Sequence, residues 1–152
     1  MDAVMTTTST RLILSATDGS EGAERAVAFA AEIAKSFNAK LLIVHVSEDR
    51  LSQKELALLE RLRVTEGDAL EEISSRTLSK AKAVAQKHGA VNIETMPTAG
   101  DPAKVLIEIA KGEHADAIVS GRRGLNQLEG LLLGSVSQKL SCLAPCAVIV
   151  VP

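Results

Sequence analysis

Three glycines and a hydroxyl stand at a spacing suited to holding an anion: Gly121-Arg122-Arg123-Gly124, nine residues, then Gly134-Ser135. Glycine lets a backbone approach a ligand closely and take up positive φ. A helix beginning at Ser135 would add unpaired N–H groups and the positive end of its dipole. The pattern reads as a phosphate-binding loop. The competing reading is a surface insertion whose glycines only serve turns. Two better-known phosphate motifs are absent: there is no GxxxxGK[ST], hence no lysine for β- and γ-phosphates, and no GxGxxG after the first apolar run.

Other reactive side chains are few. His45 closes an apolar run and could approach such a site, although a half-buried packing histidine is the commoner outcome. His88 and His114 fall at expected helix C-termini, where they favour the dipole, and lack metal-ligand spacing. Cys142 and Cys146 bracket Pro145; two small buried thiols are the expectation, a redox pair the alternative.

Composition narrows the function classes. Net charge is −2, so no basic excess would neutralise a nucleic-acid backbone. Aromatics are 1%, with no Trp or Tyr, so base-stacking platforms are missing as well. A nucleic-acid partner is not expected. Residues 1–10 read as a frayed leader without the features of a signal peptide. No apolar run approaches the roughly 20 residues of a membrane span. The expectation is a soluble, cytoplasmic protein.

The elements that must position the loop alternate. An apolar run from Arg11 to Thr17 ends at the turn and cap signal Asp18-Gly19-Ser20. A helix follows, with Ala23, Val27, Ala30, Ala34 and Phe37 on one face and Asn38 at its end. Leu41 to Val44, continuing to Val46, is continuous rather than alternating, as in a strand covered on both faces. Ser52 to Glu55 forms a capping box, and helical spacing then runs through Leu56, Leu59, Leu62, Leu70, Ile73, Ala81 and Val84 to a cap at Gly89. Whether Gly67 divides that region is left open. A strand over Val91 to Met96 precedes a turn over Pro97 to Gly100. Asp101-Pro102 opens the next helix, with Val105, Leu106, Ile109 and Ala110 inward. Ala117 to Ser120 is the fourth strand, and a helix starts near Ser135, paired with Gln138 in a second capping box. Ala147 to Val151 is the last strand. Strict alternation predicts one doubly wound, Rossmann-like α/β domain over 11–152: a five-stranded parallel sheet with helices on both faces. The thirteen residues from Arg122 to Gly134 exceed an ordinary strand-to-helix connection, and such loops at strand carboxyl ends bind ligands.

With these elements in place, the chain resembles the universal stress protein family. G-x-x-G, nine residues, G-[ST] is the signature of its ATP-binding members, matched without gaps at Gly121, Gly124, Gly134 and Ser135. The resemblance runs from Arg11 to Pro152 and includes Asp18, His45-Val46, the GDPA segment at Gly100 and the apolar terminal strand. It implies strand order 3-2-1-4-5, with Asp18 and Gly121 facing each other across a crevice. Adenine would be read by backbone groups of Thr17 or Asp18 and of Val46, between the aliphatic walls Ala16 and Val44. Gly121 and Gly124 would admit ribose and α-phosphate. Gly134, Ser135, Val136 and Ser137 would present N–H groups and hydroxyls to the outer phosphates. Arg122, where the family often has a small polar residue, and Arg123 are candidate phosphate contacts, though exposed arginines are more often solvated.

The resemblance thus implies an ATP-binding regulatory module of the stress response, with Mg²⁺ carried by the phosphates and no direct protein ligand to metal. A homodimer through strand 147–151 is also implied. The alternatives are a slow metal-dependent ATPase and a nucleotide-free dimeric scaffold. Beyond Asp18 no general base is positioned, so efficient catalysis is not expected.

Overall fold

The computed structural model describes residues 11–47, 51–123 and 133–152. Five strands, β1 (Leu12–Ala16), β2 (Lys40–Ser47), β3 (Ile93–Ala99), β4 (Ala117–Gly121) and β5 (Ala147–Val151), pair in parallel in the order β3-β2-β1-β4-β5. Among the described residues five helices connect them: α1 (Glu21–Phe37), α2 (Gln53–Leu62), α3 (Glu66–Lys87), α4 (Pro102–Gly112) and α5 (Ser135–Leu143). The expected α/β architecture and strand order are those observed.

Alternate residues of each strand feed two cores. Ile13, Leu41, Ile43 and Val119 pack under α1 and α3, whereas Leu12, Leu14, Leu42, Val44 and Ile118 pack under α4 and α5. The first core is rich in alanine: Ala26, Ala30, Ala31 and Ala34 of α1 are all buried. Small side chains let the helix axis lie close to the sheet, so dispersion contacts are made without large residues. The chain reverses direction in the sheet between β1 and β4, and this switch point lies at the carboxyl ends of both strands.

Several expected details differ. Phe37 lies 59% exposed rather than on the inner face, because Ala34 is the last inward residue before Asn38 (φ 52) turns the chain out. The region 52–88 is two helices, but the break falls at Arg63, in left-handed conformation, with Thr65 capping α3; Gly67 lies inside its first turn. No residue of α2 is buried, and the inner stripe of α3 is Ser74, Leu78, Ala81 and Ala85. Of the expected stripe only Ala81 is fully inside. The third strand extends through Pro97 to Ala99 instead of turning there, and Val91 lies outside it, 95% exposed. Asn92 accepts from Leu41 and Gly100 donates to Ser47, so even-numbered residues of β3 bond to β2. Pro97 therefore turns its nitrogen to the open edge, where a missing N–H costs nothing.

Candidate functional site

The carboxyl ends of β1, β2 and β4 open onto a cleft of about 370 Å³. Ala16, Thr17 and Asp18 line it from β1, Val44 and Val46 from β2, and Gly121, Arg122, Gly134, Ser135, Val136 and Ser137 from the β4–α5 side. Every described member of the predicted set thus lines one cleft, and Gly124 lies outside the described residues. Sequence reasoning left out Leu70 and Ile73 of α3, Pro102 and Leu106 of α4, Ser20 and Ser120. The GDPA segment pointed to Pro102; nothing local pointed to α3.

At the β1–β2 end, the backbone separates committed groups from available ones. Thr17 N–H donates to the Val44 carbonyl at 2.9 Å, so this N–H extends the sheet, and the carbonyl is the backbone group Thr17 has left to offer. Lys40 donates to Arg11 in the same way, so even-numbered residues of β2 face β1. Val46 turns its N–H and C=O to that side, two residues beyond the last bond to β1. Asp18 is not the cap of α1: its Oδ1 accepts from Ser20 N–H at 2.9 Å, and Ser20 caps the helix by accepting from Ala23 N–H at 3.2 Å. The turn passes through Gly19 at φ +83, a left-handed position suited to glycine.

At the other end, Arg122 forms a neck. Its N–H donates to the Val151 carbonyl at 2.7 Å, and its carbonyl accepts from Gly134 N–H at 2.7 Å and Ser137 Oγ at 2.9 Å. The expected second capping box is therefore absent. Gly134 occupies the cap position with no side-chain hydrogen bond, and Ser135 is the first helical residue, too far along for its hydroxyl to cap. The Gly134 amide and the Ser137 hydroxyl both donate within the neck, although both residues line the cleft. What remains at the helix start are the first-turn amides of Ser135, Val136 and Ser137, without a side-chain cap.

Gly121 also has a different reason for being glycine. A Cβ there would sit 3.0 Å from the backbone C and O of Gly22, so the residue admits the start of α1. At Gly134 a Cβ would meet the Arg122 carbonyl at 3.2 Å. Neither residue has positive φ.

His45 is buried on the cleft wall, with Nδ1 2.9 Å from Ser74 Oγ, which lies 3.0 Å from Ser47 Oγ. Burial pushes its pKa below the ordinary histidine value, and the Asp18 carboxylate partly opposes this. Cys142 is exposed, against the expectation of two buried thiols, and both cysteines are free. Burial, with the charge of Asp116, raises the Cys146 thiol. Among the described residues no three His, Cys, Asp or Glu side chains converge as a metal site, and no helix is long and apolar enough to cross a membrane.

Residues 10–152 match the universal stress protein family. The chain belongs to this family. A universal stress protein encoded in the QAH/OAS sulfhydrylase 3′ region of Thermus aquaticus is 38% identical over 146 residues, covering 93% of this chain and 98% of that one. A crystal structure of a universal stress protein in complex with cAMP superposes with a TM-score of 0.70 at 30% identity, covering 94% of this chain and 97% of that one. The Archaeoglobus fulgidus universal stress protein in complex with dAMP gives 0.66 at 25% identity, covering 94% and 98%. These universal stress proteins share the fold across nearly the whole chain, and two were solved with an adenine nucleotide.

Proposed function

We propose that this universal stress protein binds ATP in the switch-point cleft and serves the stress response as a nucleotide-dependent regulatory module in the cytoplasm. One observation carries the reading: the described residues that the family resemblance marks, from three separate stretches of chain, line a single cleft. The cAMP and dAMP complexes of similar proteins support adenine as the base. Ala16 and Val44 offer aliphatic walls, and the Val46 backbone offers one donor and one acceptor to the base edge. Gly121 flanks the path of ribose and α-phosphate. The outer phosphates lie at the first-turn amides of α5, where partial positive charge gathers, with Arg122 and Arg123 alongside. Mg²⁺ rides on the phosphates.

Lacking Trp and Tyr, the protein absorbs little in the near ultraviolet, so a co-purified adenine shows directly. We expect a nucleotide-like spectrum or, after its removal, Mg-ATP binding by calorimetry. A clean spectrum together with no heat of binding defeats the reading.

The same reading includes a homodimer through β5, an apolar edge strand of the sheet. Ile149 and Val151 pack against the α1 core, so a charge at either would disturb the fold. Val150 is half-buried and outside both cores. Val150→Lys is expected to give a folded monomer by light scattering; an unchanged dimer refutes pairing through this edge.

A further inference from the structure

We propose that His45 is a specificity-determining residue that contacts the cleft ligand through Nε2, acting as donor or acceptor as the ligand requires, while Ser74 and Ser47 adjust behind it. The inference rests on the adenine-nucleotide reading of the cleft and adds to it a contact and its chemistry.

Three observations carry it. First, Nδ1 is committed to Ser74, which is buried on α3 and does not line the cleft, whereas His45 does. The cleft is thus left to the other ring nitrogen. Second, among the described residues Ser15 Oγ is the one buried side-chain polar atom without a partner. Among the described residues Nε2 makes no hydrogen bond and is not such an atom, and the open space the ring lines is the cleft. Third, the group behind the ring is a hydroxyl bonded to a second hydroxyl. A hydroxyl donates or accepts by rotation. With the proton on Nε2, Ser74 donates to Nδ1 and Ser47 donates to Ser74. With the proton on Nδ1, both bonds reverse. A carboxylate behind the ring would fix one tautomer; two serines fix none. Selection passes to whatever enters the cleft.

The surroundings set the sign of the pH response. Asp18, at the end of β1, is the charged group acting on His45 among the described residues. Ser74 and Ser47 do not titrate in this range, Pro97 is the register partner on β3, and the flanking Glu71 and Glu72 of α3 are exposed. Phosphates bound at α5 would lie two strand spacings from β2, about 10 Å away, and act weakly through a screened path. A base seated over the ring removes water from Nε2. Bound ligand therefore favours neutral His45, and affinity falls as pH drops through the histidine range of the free protein.

The test uses cAMP, whose phosphodiester does not titrate near neutrality. Imidazole NMR of the full chain, with and without cAMP, should show the His45 midpoint moving down on binding, while His88 and His114 stay put. A midpoint lower by about one pH unit corresponds to about tenfold weaker binding in acid. His45→Asn retains an amide at the Nδ1 position for Ser74 but has nothing at Nε2; it should bind cAMP about tenfold more weakly. His45→Gln reaches the Nε2 position without titrating, and should bind within about threefold of the native chain with no loss in acid. Native protein that binds cAMP with an unmoved His45 midpoint, or His45→Asn with native affinity, overturns the inference and leaves the adenine reading intact. Native protein that binds neither cAMP nor ATP overturns both.

Discussion

The two ends of the cleft are built by different means. The β1–β2 end is sheet: two strands buried on both faces, fixed by a ladder running from Leu12 opposite Lys40 to Ala16 opposite Val44. The β4–α5 end is a hydrogen-bonded neck at Arg122 and an uncapped first helical turn. On the proposed reading, one end recognises a base through rigid spacing and the other offers amide dipoles to phosphates, so substitutions should weaken one without the other.

The largest expected effect lies where the loop meets the core. Gly121→Val pushes a branched side chain into the backbone of Gly22, and should lower stability by about 3 kcal/mol in urea unfolding. A native midpoint would mean that the contact relaxes easily and that the glycine serves a ligand after all. Second comes Ser135→Pro. Gly134 is extended (φ −70, ψ 164), as a residue before proline must be, and proline suits the first helical position. The change removes one amide from the anion end and leaves the helix. ATP binding should fall about tenfold with adenosine binding unchanged; equal losses for both ligands would erase the division between the two ends. The smallest effect is beneath the base end. Ser15 Oγ is buried and unpartnered, so Ser15→Ala should raise stability by about 1 kcal/mol in thermal melts without changing ligand affinity. A loss of stability would show that the hydroxyl has a partner after all.

How far the sequence disclosed the molecule follows the same division. Apolar runs such as Leu41 to Val44 announce buried strands because a strand covered on both faces takes apolar residues at successive positions. The order of the strands came from family resemblance, since periodicity carries no information about neighbours. Pro97 reads as a turn, and only its place on an edge strand makes it part of the ladder. Ser135 and Gln138 match a capping box, but the Gly134–Arg122 bond sets where the helix begins, and that bond spans the loop. His45, at the end of an apolar run, reads as a packing residue. Its partner Ser74 lies 29 positions away on another element, so no local pattern could connect them.

The neck at Arg122 has an engineering consequence. Gly134 and Ser137 both bind its carbonyl, so the ends of the intervening segment are held together whatever that segment contains. Lengthening it would then cost only closure entropy, about 0.6 kcal/mol for each doubling. A foreign peptide spliced between Arg123 and Leu133 is therefore expected to leave the sheet and both cores in register.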